Sequence, residues 1–150
     1  ILRHIEGEGD LARLHDLSTR VHSAIAYETG KSEIAWTAED ALAAGHGVCQ
    51  DHAHVFIACA RAMGLPARYV SGYLRMDGQD EQSATHAWAE AHVEGLGWVG
   101  FDVSNAISPD TRYVRVATGL DYTEAAPISG HRYGAATENM DVTLQVTQQQ

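Results

Sequence analysis

Apolar residues recur along this chain with two different periods, and each period marks a different kind of element. Leu11, Leu14, Val21 and Ile25 fall at helical spacing on one face. With Asp10 as the N-cap and Gly30 just past the end, they predict a helix reaching about Tyr27. Thr37-Ala38-Glu39-Asp40 has the form of a capping box, with Asp in place of the usual Glu, and opens a short helix from Ala38 to Ala44 that Gly45 can close. Gly45-His46-Gly47 then reads as a flexible approach to the next helix, Cys49 to Met63. There Cys49, Ala53, Phe56, Ala60 and Met63 share one face, and Gly64-Leu65-Pro66 stops the helix.

Beyond Pro66 the period changes to two. Tyr69, Val70 and Tyr73 favour a strand from Ala67 to Met76, followed by a polar loop from Asp77 to Ser83. From Thr85 to Val93 the alternation is clean, with His86, Trp88, Glu90 and His92 on one face and Ala87, Ala89, Ala91 and Val93 on the other. Glu94-Gly95-Leu96-Gly97 is a hairpin turn leading into a strand from Trp98 to Val103, with Trp98, Gly100 and Asp102 on one face. A turn centred on Glu94 sets His86 opposite Asp102, each eight residues away (94 − 86 = 8; 102 − 94 = 8). A centre one residue later makes them diagonal neighbours, still within reach of each other. Arg112 to Ala117 and Met140 to Val146 are further strand candidates, and no internal repeat is visible.

The length of 150 residues suits one domain with a sizeable core, and the start at Ile1-Leu2-Arg3-His4 reads as a fragment of a longer chain. A net charge of −10 lacks the basic footprint of a nucleic-acid binder and is repelled by anionic lipid. No stretch approaches the roughly 20 apolar residues of a membrane span. Cys49 and Cys59, ten residues apart on one helix, lie about 15 Å apart along its axis, too far for a disulfide. That fits a reducing compartment, so a cytoplasmic setting is expected.

Cys49 stands where a loop becomes a helix. Unpaired backbone N–H groups and the helix dipole favour negative charge there, which biases a thiol toward its nucleophilic thiolate. His86 and Asp102 follow on two strands that the hairpin brings together. A thiol, an imidazole and a carboxylate in that order propose covalent catalysis on an acyl or amide group. Cys49 attacks a carbonyl, His86 takes its proton or holds it as an imidazolium and passes it to the leaving group, and Asp102 orients the ring. The N–H of Cys49 is an oxyanion donor, and the second donor is not identified. Cys59, mid-helix, reads as an inert core thiol.

His46, His52 and His54 crowd Cys49, and Cys with His suits zinc. His52 and His54 point about 200° apart on a helix, however, and no C-x-x-C or H-x-x-x-H pair occurs, so neither a metal nor another cofactor is expected. His54 reads as a core histidine bonded to backbone. His92 and His131 read as surface or structural. Trp88 and Trp98 read as cover for the sheet in preference to walls of a cleft. Asn105 is a turn residue or a cap, and Asp121-Tyr122 belongs to a loop.

Three segments in order carry a family resemblance: Gly47-Val48-Cys49-Gln50-Asp51-His52-Ala53-His54, then Ala62-Met63-Gly64-Leu65-Pro66-Ala67-Arg68-Tyr69-Val70-Ser71-Gly72-Tyr73, then His86-Ala87-Trp88-Ala89-Glu90 with Gly97-Trp98-Val99-Gly100-Phe101-Asp102. Together they resemble the bacterial transglutaminase-like proteins, a group taken for cysteine proteases, from about Tyr27 to Val146. The resemblance implies a papain-like α+β fold, with the nucleophile helix packed on an antiparallel sheet, and a triad of Cys49, His86 and Asp102. It departs at His52, where an aromatic residue is common, and at Val103-Ser104-Asn105, which replaces a Pro-Thr-Asn run. The His52 change is expected to alter the pocket beside the nucleophile. Family members often carry a β-rich region ahead of this domain. The expected activity is thiol-dependent processing of a peptide or protein substrate, with hydrolysis preferred because water needs no dedicated acceptor site. The alternatives are acyl transfer to an amine and a non-catalytic peptide- or partner-binding module.

Overall fold

The computed structural model describes residues 1–75, 81–82, 85–128, 133–134 and 144–145. A 3-10 turn (Leu2–His4) precedes α1 (Gly9–Ala24), β1 (Ala26–Tyr27), α2 (Ala38–Ala44), β2 (His46–Gly47) and α3 (Cys49–Ala62). There follow β3 (Ala67–Leu74), β4 (Glu81–Gln82), β5 (His86–Val93), β6 (Gly97–Phe101), β7 (Tyr113–Gly119), α4 (Tyr122–Ala125) and β8 (Leu144–Gln145). The main sheet has the order β6-β5-β3-β7 and is antiparallel throughout. The α+β class and the nucleophile helix on an antiparallel sheet are therefore as expected.

The helical layer lies on this sheet through α3. The facing positions of β5 are Ala87, Ala89 and Ala91, whose small side chains let the helix approach closely. Phe56 of α3 stacks on Phe101 of β6 at 4.9 Å between ring centroids. On the other side α1 brings Leu14, Leu17 and Val21 into the same core. The stripe read from the sequence is only part of what α3 buries, because Asp51, His52, Val55, Ile57 and Cys59 are buried as well. A helix covered on most of its circumference is central to the fold. Among the described residues no helix is long and apolar enough to cross a membrane.

Several boundaries differ from expectation. The first helix starts at Gly9 without a side-chain cap, and Asp10 instead pairs with Arg13 at 3.4 Å in the first turn. It ends at Ala24 because the chain peels away to form β1, which pairs in parallel with β2: Ala26 N–H donates to Gly45 and Glu28 N–H to Gly47. The approach to Cys49 is thus a short strand, not a free loop. The capping box at Thr37 forms in both directions, and Gly45 closes α2 in the left-handed region at φ 69°. β3 ends at Leu74, and within the expected acidic loop Glu81–Gln82 is a strand paired with Leu144–Gln145. Met76 to Asp80, Ser83, His131 and the rest of the expected strand from Met140 to Val146 lie outside the described residues. Asp121 is an N-cap, accepting from Thr123 N–H at 2.8 Å, so Tyr122 opens α4 and is not a loop residue.

The hairpin pairs Val93 with Gly97 and Ala89 with Phe101, so its centre is Gly95 and the diagonal arrangement of His86 and Asp102 holds. Gly95 and Gly97 both sit at positive φ (80° and 82°), a conformation that admits glycine and disfavours other residues. β6 ends at Phe101, earlier than expected, because Asp102 leaves the ladder to bridge Ile107.

Candidate active site

The helix start that carries Cys49 is built by a capping interaction that excludes a side chain at Gly47. Asp51 accepts the Val48 N–H on Oδ2 at 2.8 Å. A Cβ on Gly47 would lie 2.7 Å from that same carboxylate oxygen. Cys49, half-buried, is the first residue of α3, so its N–H has no carbonyl one turn back to pair with.

His86 stands at the start of β5 and donates from Nε2 to Asp102 Oδ2 at 2.6 Å. With Nε2 so engaged, Nδ1 is the nitrogen left for the Cys49 side chain, which lies near enough to act on the proton affinity of the ring. Burial pulls the imidazole down, but the hydrogen bond to Asp102 and the negative charges of Asp102 and Cys49 prevail and lift its pKa to about 9. Asp102 is 0% exposed and accepts four hydrogen bonds. Oδ2 takes His86 Nε2, Tyr113 O–H at 2.6 Å and Asn105 Nδ2 at 2.7 Å, and Oδ1 takes Asn105 N–H at 3.2 Å. Burial raises the carboxyl, yet these donors and the His86 charge hold it below the ordinary Asp range. Burial and the adjacent carboxylate push the Tyr113 phenol up, which keeps it a donor. Cys49, His86 and Asp102 are therefore brought together.

Tyr113 was not foreseen, because the β3–β7 register that delivers it has no local signature in the chain. Asn105 is the turn residue expected, with the added role of holding Asp102. Trp88 is buried, as expected of sheet cover, but its ring also lies 6.2 Å from that of His86 and 5.4 Å from that of Tyr113. Trp98 is elsewhere, 43% exposed beneath the Arg68 guanidinium. Tyr27 is a further unforeseen neighbour, its phenol pushed up by burial and by the charges of Cys49 and Asp102.

The histidines near Cys49 are committed to protein partners. His46 donates from Nδ1 to the Ala44 carbonyl, and His54 Nε2 accepts the Tyr122 N–H at 3.3 Å, the backbone bond expected of it. His52 does not open onto a pocket beside the nucleophile. It is buried between the Ile25 carbonyl and the Ser104 hydroxyl, so two of the positions that depart from the family pattern, His52 and Ser104, meet each other. His92 is on the surface against Trp98. Cys59 is buried in the core, and burial pushes its thiol up. Among the described residues no group of three or more His, Cys, Asp or Glu is arranged to hold a metal ion.

Residues 3–103 match the profile of the transglutaminase-like superfamily. The chain belongs to that superfamily. The match starts earlier than the resemblance read from the sequence and ends just past Asp102. An uncharacterized protein of Mycobacterium tuberculosis is 38% identical over 144 residues, covering 89% of this chain and 46% of its own length. The chain thus spans about half the length of the curated relatives it matches. A protein-glutamine gamma-glutamyltransferase of Pseudomonas aeruginosa is 31% identical over 102 residues, covering 58% of this chain and 15% of the relative. Among solved structures, a proposed cysteine protease from Cytophaga hutchinsonii superposes with a TM-score of 0.75 at 27% identity, covering 96% of this chain and 48% of that one. A transglutaminase-like fold with a cysteine-protease-like neighbour is what these likenesses establish.

Proposed function

We propose that this domain hydrolyses an amide bond of a peptide or protein through Cys49, His86 and Asp102. The observation that carries the reading is the His86 imidazole, hydrogen-bonded to a buried carboxylate, close to the Cys49 side chain and raised to about 9. At neutral pH such a ring holds a proton, which favours a thiolate–imidazolium pair over a neutral thiol and base. Cys49 Sγ attacks the carbonyl carbon, and the oxyanion that forms is met by the Cys49 N–H. Collapse breaks the C–N bond as His86 gives its proton to the leaving amine, and a thioester remains on Cys49. Water then attacks that thioester, losing a proton to His86, and the carboxylic acid leaves as the thiol is restored. Asp102 holds the ring in the orientation both steps need.

The likeness to the Pseudomonas glutamyltransferase supports a second reading, in which an amine replaces water in the last step. The two free thiols, Cys49 and Cys59, fit a reducing compartment, and the proposal extends to a cytoplasmic setting. The test is mass spectrometry of the protein incubated with a peptide mixture and a primary amine. Hydrolysis predicts a transient acyl adduct on Cys49 and free acid as the main product, and transfer predicts the amide. No adduct on Cys49 and no product with any peptide would overturn both readings.

A further inference from the structure

His52 is a buried titratable group that the chemistry above leaves unused. It is 1% exposed, and both ring nitrogens have partners. Nε2 lies 2.9 Å from the Ile25 carbonyl oxygen, which can only accept, so Nε2 carries the proton. In the neutral ring Nδ1 then accepts from the Ser104 hydroxyl at 2.8 Å. Burial lowers the affinity of this ring for a second proton. The groups facing it are His22 from α1, Tyr27 from β1, Asp51 of its own helix and Asp102.

Ser104 sits in the turn that carries Asp102. Asp102 and Ile107 exchange backbone hydrogen bonds at 2.9 and 3.2 Å, and Ala106 N–H donates to Val103 at 3.3 Å. Ala106 has φ 54°, a left-handed conformation uncommon outside glycine, which persists where surrounding contacts over-determine it. Two such contacts come from the helical layer: Ser104 to His52, and His22 Nδ1–H to the Val103 carbonyl at 2.9 Å. His52 lies three residues beyond Cys49 on α3. One imidazole therefore ties the end of α1 and the helix of the thiol to the turn of the carboxylate.

We propose that His52 is a positioning residue which, through the Ser104 hydroxyl, holds the Asp102 turn at the separation that the His86–Asp102 hydrogen bond requires. The proposal rests on the triad reading above. In the alkylation of Cys49, a displaced Asp102 holds the His86 proton less firmly, so the thiolate–imidazolium pair survives over a narrower pH range.

The test follows iodoacetamide alkylation of Cys49 by peptide mass spectrometry across pH in the full chain, with thermal melts alongside. His52→Phe keeps ring volume and removes both bonds, Ser104→Ala removes only the hydroxyl, and Ser104→Thr keeps it. His52→Phe and Ser104→Ala are expected to slow alkylation at neutral pH by about ten-fold or more and to move the acid limb, where the thiolate forms, toward higher pH. Ser104→Thr restores the wild-type profile. Lowered melting temperatures with an unmoved profile would overturn the proposal, leaving His52 a packing residue. Should His52→Phe not fold, Ser104→Ala against Ser104→Thr decides alone. If His86→Ala leaves the wild-type profile unchanged, the triad reading and this proposal fall together. If His86→Ala moves it and Ser104→Ala does not, only this proposal falls.

Discussion

Replacing Tyr113 with Phe removes one hydroxyl and little else, since the ring keeps its contacts with Trp88 and His86. That hydroxyl is one of three donors on Asp102 Oδ2, at 2.6 Å. A hydrogen bond to a charged group contributes about 1.5–3 kcal/mol. Because His86 and Asn105 still serve the same oxygen, the carboxylate is not orphaned, and the lower figure, about 1.5 kcal/mol, applies. For a domain of this size that is a fall in Tm of about 3–6 °C. The effect on His86 has the opposite sense. With the Tyr113 donor gone, more negative charge on Oδ2 is left for the imidazolium, so His86 should hold its proton to higher pH. Thermal melting and the pH profile of Cys49 alkylation, measured on Tyr113→Phe and wild type, check both parts. A variant as stable as wild type with an unmoved alkylation profile would refute the claim that this phenol donates to Asp102.

The pH dependence of stability has a definite sign at both ends. His86 rises from 6.5 to about 9 on folding, so its stabilisation is complete below pH 6.5 and fades as pH climbs through 9. Asp102 is depressed below 3.8, so its stabilisation is complete above that value and is lost as pH falls through the lowered pKa. Urea midpoints should therefore decline on both sides of the interval from 3.8 to 6.5, and His86→Ala should flatten the alkaline decline. Gly47→Ala should cost about 1–3 kcal/mol, because its Cβ displaces the Asp51 carboxylate from Val48 N–H; chemical denaturation reads the loss, and slower Cys49 alkylation should accompany it. EDTA should leave amidase turnover unchanged, since His46, His52 and His54 are bonded to protein; loss of turnover that added zinc restores would contradict this.

What was legible in the sequence was local. The Thr37 capping box, the glycine stop at Gly45 and the alternation through β5 each rest on neighbours within a few residues, and each forms as read. The hairpin arithmetic narrowed His86 and Asp102 to two registers but had no basis for choosing between them. The positive φ at Gly95 and Gly97 accompanies the register adopted, a backbone property that composition alone does not reveal. Pairings across distant segments left no trace. β1 is two residues long, too short to show a period, and it cut the first helix short. Tyr113 reaches Asp102 only through the β3–β7 register, with its irregularity between Ser71 and Gly72. His52 and Ser104 are 52 residues apart, so each read as an isolated departure until the fold joined them.

The central claim is that Cys49 is held as an activated thiolate by His86. The most direct measurement is the iodoacetamide rate at Cys49 and at Cys59 in the folded protein at neutral pH, repeated with His86→Ala. Burial already disfavours Cys59, so the histidine variant is the decisive arm. Cys49 should react much faster than Cys59 in the wild type, and His86→Ala should remove most of that advantage. Equal rates at the two thiols, or a Cys49 rate indifferent to His86, would contradict the account.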